Sequence, residues 1–268
     1  MISVVIPTIG EKILHKVIKR LLSGRMAPNE ILLIFSEVDS KSALDFYIYK
    51  STKILFSPSK GQVKQRIFGF KKATNKYVVQ LDSDILVNKN TIELLYKEII
   101  KNDKCCISAK IVNKDLIKKK VTSYQKHLGK ITKWGNSIWF NKVNYPKKIQ
   151  ELEWLQGGCI IHSKVNLIID DYYPFKGKAY GEDVIHSCLL RKNKIKLFLN
   201  PNVKVFELSN ETKISNFDLD EFREFLKNNF LSKLKIIGLI NGSYFLFLLW
   251  YILFFLKRLF IFLVQMKK

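Results

Sequence analysis

An α/β fold, with helices covering a largely parallel sheet, is what this chain predicts, and two observations predict it. Short apolar runs rich in β-branched residues recur along the first two hundred residues, separated by stretches of helical periodicity. With 268 residues, 47% hydrophobic and 13% aromatic, the chain can also bury a full core in one large domain and still carry an appendage.

The elements follow in order. Ile2 to Ile6 reads as a strand; its apolar run is too short, and lacks the basic leader, for a signal peptide, so export is not expected. Ile13, Leu14, Val17, Ile18, Leu21 and Leu22 recur at helical spacing, with Gly24 placed to stop that helix. Ile31 to Phe35 and Ile54 to Phe56 read as further strands, and a helix carrying Val63, Ile67, Phe70 and Ala73 leads to a strand at Tyr77 to Leu81. This alternation is βαβ logic, which places a ligand at the carboxyl ends of the strands. A helix capped by Asn90, with Glu93 three residues on, precedes the strand "CCISAKI". Residues 113 to 150 are less regular and rich in Lys, with Trp134, Trp139, Phe140 and Tyr145 interleaved, as in a solvated loop or a surface for a charged acceptor. "GGCII", "IKLFL" and "VKVF" resume the strand pattern around a helix of Val184, Ile185, Cys188 and Leu189.

Near residue 210 the texture changes. Phe222, Phe225, Leu226, Phe230 and Leu234 share a helical face, and Ile236 to Leu256 follows without an Asp, Glu, Lys or Arg. A helix of that length reaches roughly 30 Å, enough to cross a bilayer. The chain is therefore expected to divide into a catalytic α/β domain, 1–210, and a helical, apolar, membrane-associated region, 211–268.

Forty-six Lys plus Arg against 23 Asp plus Glu give a formal charge of +23 and favour a polyanionic partner: nucleic acid, an anionic membrane surface or a phosphorylated substrate. No basic recognition helix or RNA-binding aromatic signature supports nucleic acid. Cys105, Cys106, Cys159 and Cys188 lie in apolar surroundings without metal-ligand spacing and read as reduced core thiols.

The stretch "KYVVQLDSDILV" ends its apolar run on Asp82 and Asp84. An unpaired buried carboxylate costs several kcal/mol, so these two either sit at the strand's exposed end or hold something positive. Strand alternation would point both to one side, where a hard cation such as Mg2+ or Mn2+ could bridge them to a nucleoside diphosphate.

Four segments in sequence, "SVVIPTIG", "GQVKQRIFGFKKATNKYVVQLDSD", "WLQGGCIIHS" and "GEDVIHSCLLRKNKI", resemble the successive motifs of the family-2 nucleotide-sugar glycosyltransferases, over roughly residues 1 to 207. The resemblance implies a GT-A fold, a Rossmann-like, mostly parallel sheet, and a nucleotide-sugar donor, with a UDP-sugar favoured. It implies that Pro7 and Thr8 flank the nucleotide base, and that Gly61 and Arg66, the ends of a "GxxxxR" helix start, lie near the nucleotide. Asp82 would face ribose and cation and Asp84 would bind Mn2+ or Mg2+ directly. Asp183 of "GED" would be the general base with Glu182 beside it, while Trp154, Gln156, Gly157 and Gly158 line the acceptor side. Where the family usually places Asp after the second strand, Phe35 and Ser36 stand here, leaving Glu37 and Asp39 as nearby donor-side carboxylates. Glu207 stands where many relatives carry a metal-binding His, and its oxygen suits the same cations. His162 and His186 read as structural. The Q-x-x-R-W signature of processive synthases is absent, so one sugar per encounter is expected.

The resulting expectation is a metal-dependent inverting transferase acting on a cell-surface glycan precursor, lipid-linked, with transfer to polyprenyl phosphate and a catalytically silent membrane scaffold as alternatives. Lys233, Lys235, Lys257, Arg258, Lys267 and Lys268, with no acidic residue among them, favour the cytoplasmic face of the membrane, the tail lying in the interface or folding back near Asn241 and Gly242.

Overall fold

The computed structural model describes residues 1–113, 129–138, 146–175, 179–208 and 219–266. Expectations for Trp139, Phe140, Tyr145, Lys267 and Lys268 fall outside the described residues. The sheet opens with four mutually parallel strands, β1 (Ile2–Pro7), β2 (Glu30–Ser36), β3 (Thr52–Ser57) and β4 (Tyr77–Leu81), in the order β3-β2-β1-β4. Beyond β4 it turns mixed: β8 (Cys159–Ser163) runs antiparallel to both β4 and β6 (Cys105–Asn113), and β9 (Lys196–Glu207) runs parallel to β6. Two short strands, β5 (Ile85–Val87) and β7 (Gln150–Glu151), pair antiparallel to β9.

β1 and β2 are buried on both faces, and their alternation splits the core. Ile2, Val4, Ile6, Leu33 and Phe35 join one hydrophobic cluster with α1 (Leu14–Leu22) and α4 (Thr91–Ile99); Val5, Leu32 and Ile34 join another on the opposite face with Phe70 of α3 (Gln62–Lys72). α3 lies hard against the sheet at Gly69, where any Cβ would come within 2.9 Å of Ile34 Cγ1. The Asn90 capping box does not form: Asn90 makes no side-chain cap bond, and Glu93 pairs with Lys97 one turn on, the geometry an exposed i,i+4 pair prefers. All four cysteines are buried.

α2 (Ser40–Ala43) follows β2, and α5 (Glu182–Lys192) precedes β9. A third cluster joins Val63 and Ile67 of α3, Val184, Ile185 and Cys188 of α5, and Ile236 of α6 (Leu219–Ile240). α6 is thus packed into the sheet domain, not suspended from it. The expected unbroken helix from Ile236 to Leu256 is not formed. α6 ends at Ile240, Asn241 takes φ 50°, and α7 (Tyr244–Met266) runs back along α6. Gly242 accommodates this turn, since a Cβ there would press on the Lys133 carbonyl.

Candidate active site

The carboxyl ends of β1, β2 and β4 converge with the N-terminus of α5, and the site is built there. Asp82 and Asp84 do not continue the strand alternation expected of them. β4 stops at Leu81, and the Ile85 amide bonds the Asp82 carbonyl at 3.1 Å, closing a tight turn that leads into β5. Both aspartates are partly exposed, while Ser83 between them is buried and reaches Glu11 at 3.3 Å.

Arg66 ties the site together. Its guanidinium is fully buried and donates to both oxygens of Glu182, at 3.0 and 2.8 Å, and to Asp82 Oδ1 at 3.2 Å. Gln62, at the start of α3, donates to the same Asp82 oxygen at 3.0 Å. Arg66 therefore lies beneath the carboxylates, with Nη1 on Glu182 and Nη2 on Asp82, while its buried Nε has no hydrogen-bond partner among the described residues. The Tyr172 hydroxyl reaches Glu182 at 3.4 Å. Glu182 is only 6% exposed and is held from two sides, by Arg66 and by Tyr172.

Asp183, next along the chain, is half-buried at the first turn of α5. Burial raises its carboxyl well above the ordinary value, Glu182 raises it further by charge and by hydrogen bond, and Arg66 and the Gly157 amide pull the other way. Gly157 is glycine for a steric reason: a Cβ there would strike the Asp183 carboxylate and lie 2.8 Å from Gln80 Nε2. The Gly158 carbonyl accepts the Asp82 amide at 3.0 Å. These two glycines let the β8 entry pass between the aspartates, so they shape the site from below. Gln156 is half-buried, and Trp154 is 1% exposed and packed in the α3–α5–α6 cluster.

On the donor side, Pro7 and Thr8 end β1 and are buried. Thr8 donates to Glu11 at 2.9 Å, and its carbonyl receives Gln65 at 2.9 Å. Glu11 and Ser83 went unrecognised in the sequence: Glu11 meets Thr8 three residues away, and only the fold brings Ser83 to Glu11. Asp39, in the turn after β2, accepts hydrogen bonds from Ser36 and from Lys60, the latter at 3.3 Å, and so occupies the strand-end place that the sequence pattern left empty. Glu37 is exposed. Gly61 takes φ 127° at the start of α3, where a cavity of about 420 Å³ opens between Lys60–Lys64 and the pair Tyr173 and Phe175. Gln62 borders that cavity and touches Asp82, so the space adjoins the acidic turn.

Burial raises the Asp82 carboxyl; Arg66 opposes the rise, and the charges of Glu182 and Asp84 add to it. This concentration of negative charge fits a hard cation held by Asp82 and Asp84 together with diphosphate oxygens. Among the described residues no three His, Cys, Asp or Glu side chains gather as a cation shell. Glu207 lies opposite Ile85 in the β5–β9 ladder, and the following Leu208 amide bonds the Asp84 carbonyl at 2.9 Å. His162 and His186 lie behind Arg66, with ring centres 5.6 Å apart; burial, and secondarily the Arg66 charge, pushes His162 down to about 3, and both are neutral core groups.

Residues 3–167 match the family described as Glycosyl transferase family 2. The chain belongs to that family. This glycosyltransferase has the GT-A fold, as its similarity to solved structures shows. GalNAc-T7, solved with UDP, GalNAc and Mn2+, is 17% identical, with a TM-score of 0.60 over 85% of this chain and 48% of that one. S. aureus TarS, residues 1–349, is similar with a TM-score of 0.53, 15% identity and coverage of 87% and 64%. Its complex with UDP-GlcNAc gives 0.52, 17%, 86% and 66%. The family-2 chain thus spans about half the length of the first structure and just under two thirds of the others. No curated protein sequence matches it.

Proposed function

We propose that this glycosyltransferase moves one sugar per encounter from a UDP-sugar to a hydroxyl of a glycan precursor, with inversion at the anomeric carbon. The observation that carries the reading is Asp183: a carboxylate with a raised proton affinity, half-buried at a helix start and fixed by Gly157, beside the Asp82–Asp84 turn. Inverting transfer needs such a group to take the acceptor proton as the oxygen attacks opposite the leaving diphosphate. Arg66 and Glu182 keep the helix start registered on the acidic turn. Asp39 and Lys60 are offered to the base, and Thr8 closes the loop above β1 through Glu11.

Asp84 and Asp82 would hold Mn2+ or Mg2+, which when bound supplies positive charge to the leaving diphosphate. The apolar α7 and the chain's positive charge support a lipid-linked acceptor met at the cytoplasmic face of a membrane. A screen of nucleotide sugars for donor hydrolysis and transfer, with and without Mn2+, tests the reading. A chain that binds but never cleaves any donor would be a scaffold instead.

A further inference from the structure

α7 passes the length test for a membrane crossing: Tyr244–Leu263 is apolar over 20 residues, with mean hydropathy 2.2. At 1.5 Å per residue that is roughly 30 Å, a bilayer's hydrocarbon thickness. Its partner helix argues otherwise. α6 runs antiparallel to α7 along most of its length: Phe230 packs on Phe247 at 5.3 Å, Phe225 on Phe254 at 6.1 Å, and Phe222 stacks on Phe262 at 4.5 Å. The Tyr251 hydroxyl donates to the Leu226 carbonyl at 2.8 Å, and the Arg258 guanidinium lies 5.3 Å from the centre of the Phe225 ring. α6 in turn is tied to the catalytic domain, with Ile236 and Ile237 in the core and Lys235 Nζ donating to the Tyr172 carbonyl at 2.8 Å.

Pushing α7 across a bilayer would therefore either unzip these contacts or drag α6 in beside it. The first half of α6 exposes Asp220, Glu221, Arg223, Glu224 and Lys227, which hydrocarbon does not accept cheaply. The outer face of α7 is the opposite: Phe245, Leu249, Ile252, Leu256, Phe260 and Leu263 form one stripe at helical spacing, each about half exposed or more. A stripe of that extent marks an interaction surface. Lys257 stands exposed beside it, and no acidic residue occurs between Lys233 and Lys268 in a chain of net charge +23, so the complementary partner is an apolar layer topped by negative charge.

We infer that the α6–α7 hairpin lies in the plane of an anionic bilayer, α7 immersed in one leaflet with its stripe toward the acyl chains and α6 above it, so that the chain rests on the membrane without crossing it. The inference deepens the membrane-side reading of the acceptor and rests on it for its purpose. The seating places lipid one helix layer from the catalytic segment, because α6 touches that segment through Ser232 and Tyr173, 3.4 Å apart, and Lys235 and Tyr172.

The test uses the full chain without donor, so its outcome is separate from that of transfer. Vesicles of phosphatidylcholine alone are compared with vesicles containing phosphatidylglycerol. Binding at least ~10-fold tighter to the anionic vesicles, weakening with salt, is expected. The variant Leu249→Asp, Ile252→Asp, Leu256→Asp should lose that preference and at least ~10-fold in binding while keeping its circular dichroism and donor hydrolysis, since these side chains touch no part of the site. Spin labels on Phe245→Cys, Ile252→Cys and Phe260→Cys should report equal, shallow depths. A deep maximum at position 252 with shallow flanks would mean a crossing and overturn the inference. Vesicle binding unchanged in the triple variant would overturn it too, as would self-association through the stripe without lipid binding.

Discussion

Arg66 gives Glu182 two hydrogen bonds, at 3.0 and 2.8 Å, from a position with no solvent exposure. One cation thereby joins α3, the acidic turn and the start of α5. Arg66→Met should leave Glu182 buried and unpaired and lower stability by about 3–5 kcal/mol in urea unfolding. Adding Glu182→Gln should restore more than half of that loss, while transfer stays low because Asp82 still lacks its partner.

Asp183→Asn should lower turnover at least ~100-fold with little change in donor affinity, as loss of a general base does. Collapse of donor binding instead would make Asp183 a positioning group. In the wild type, activity should rise with pH through the elevated Asp183 pKa. Glu182→Gln removes a like charge and frees Arg66 to act on Asp183, so the acid limb of the kcat/KM profile should move to lower pH.

Asp84→Asn should abolish transfer with little change in melting temperature, because it sits in a partly exposed turn, and Asp82→Asn should be nearly as severe on transfer while also weakening the tie to buried Arg66. EDTA should stop the wild type and Mn2+ should restore it. Full activity in EDTA would remove the cation from the reaction.

Glu30 offers a test of stability alone. Burial acts to raise its carboxyl, but hydrogen bonds from Lys53, Ser3 and Thr74 outweigh it and carry the pKa from 4.5 down to about 2. The folded value is depressed, so the stabilisation is complete above pH 4.5 and fades as pH falls toward 2. Glu30→Gln should cost roughly 2 kcal/mol at neutral pH and nothing at the acid end, measured by unfolding across that range.

Much of this was legible in the sequence. β1 to β4 and α3 announce themselves through apolar runs and helical spacing, which are local signals, and Asp82, Asp84 and Asp183 sit in short recognisable strings. What stayed hidden depends on distance or on irregularity. The Arg66–Glu182 pair was not legible because its two members are 116 residues apart. β9 read as two strands because Pro201 interrupts it; the chain absorbs that proline at a register shift, where β6 passes from Asn200 to Lys204 between Ala109 and Lys110 and no regular ladder bond is required. The packing of Trp154 in the α3–α5–α6 cluster was not legible either, since it depends on helices distant in the chain. The break in the apolar tail falls at Asn241 and Gly242, where the sequence offered a fold-back.

The separation between Arg66 and Glu182 also means that the site draws on both ends of the α/β domain. The parallel strands and the acidic turn are complete within the first 81 to 85 residues, yet Asp82 then sits beside an arginine whose stronger partner has not been synthesised. The packing of α6 on α5 likewise joins residues that lie far downstream of the acidic turn. Domains fold as units during synthesis. For this one the unit includes α5 and α6, so a product ending before α5 carries Asp82 and Asp84 without Glu182 or Asp183.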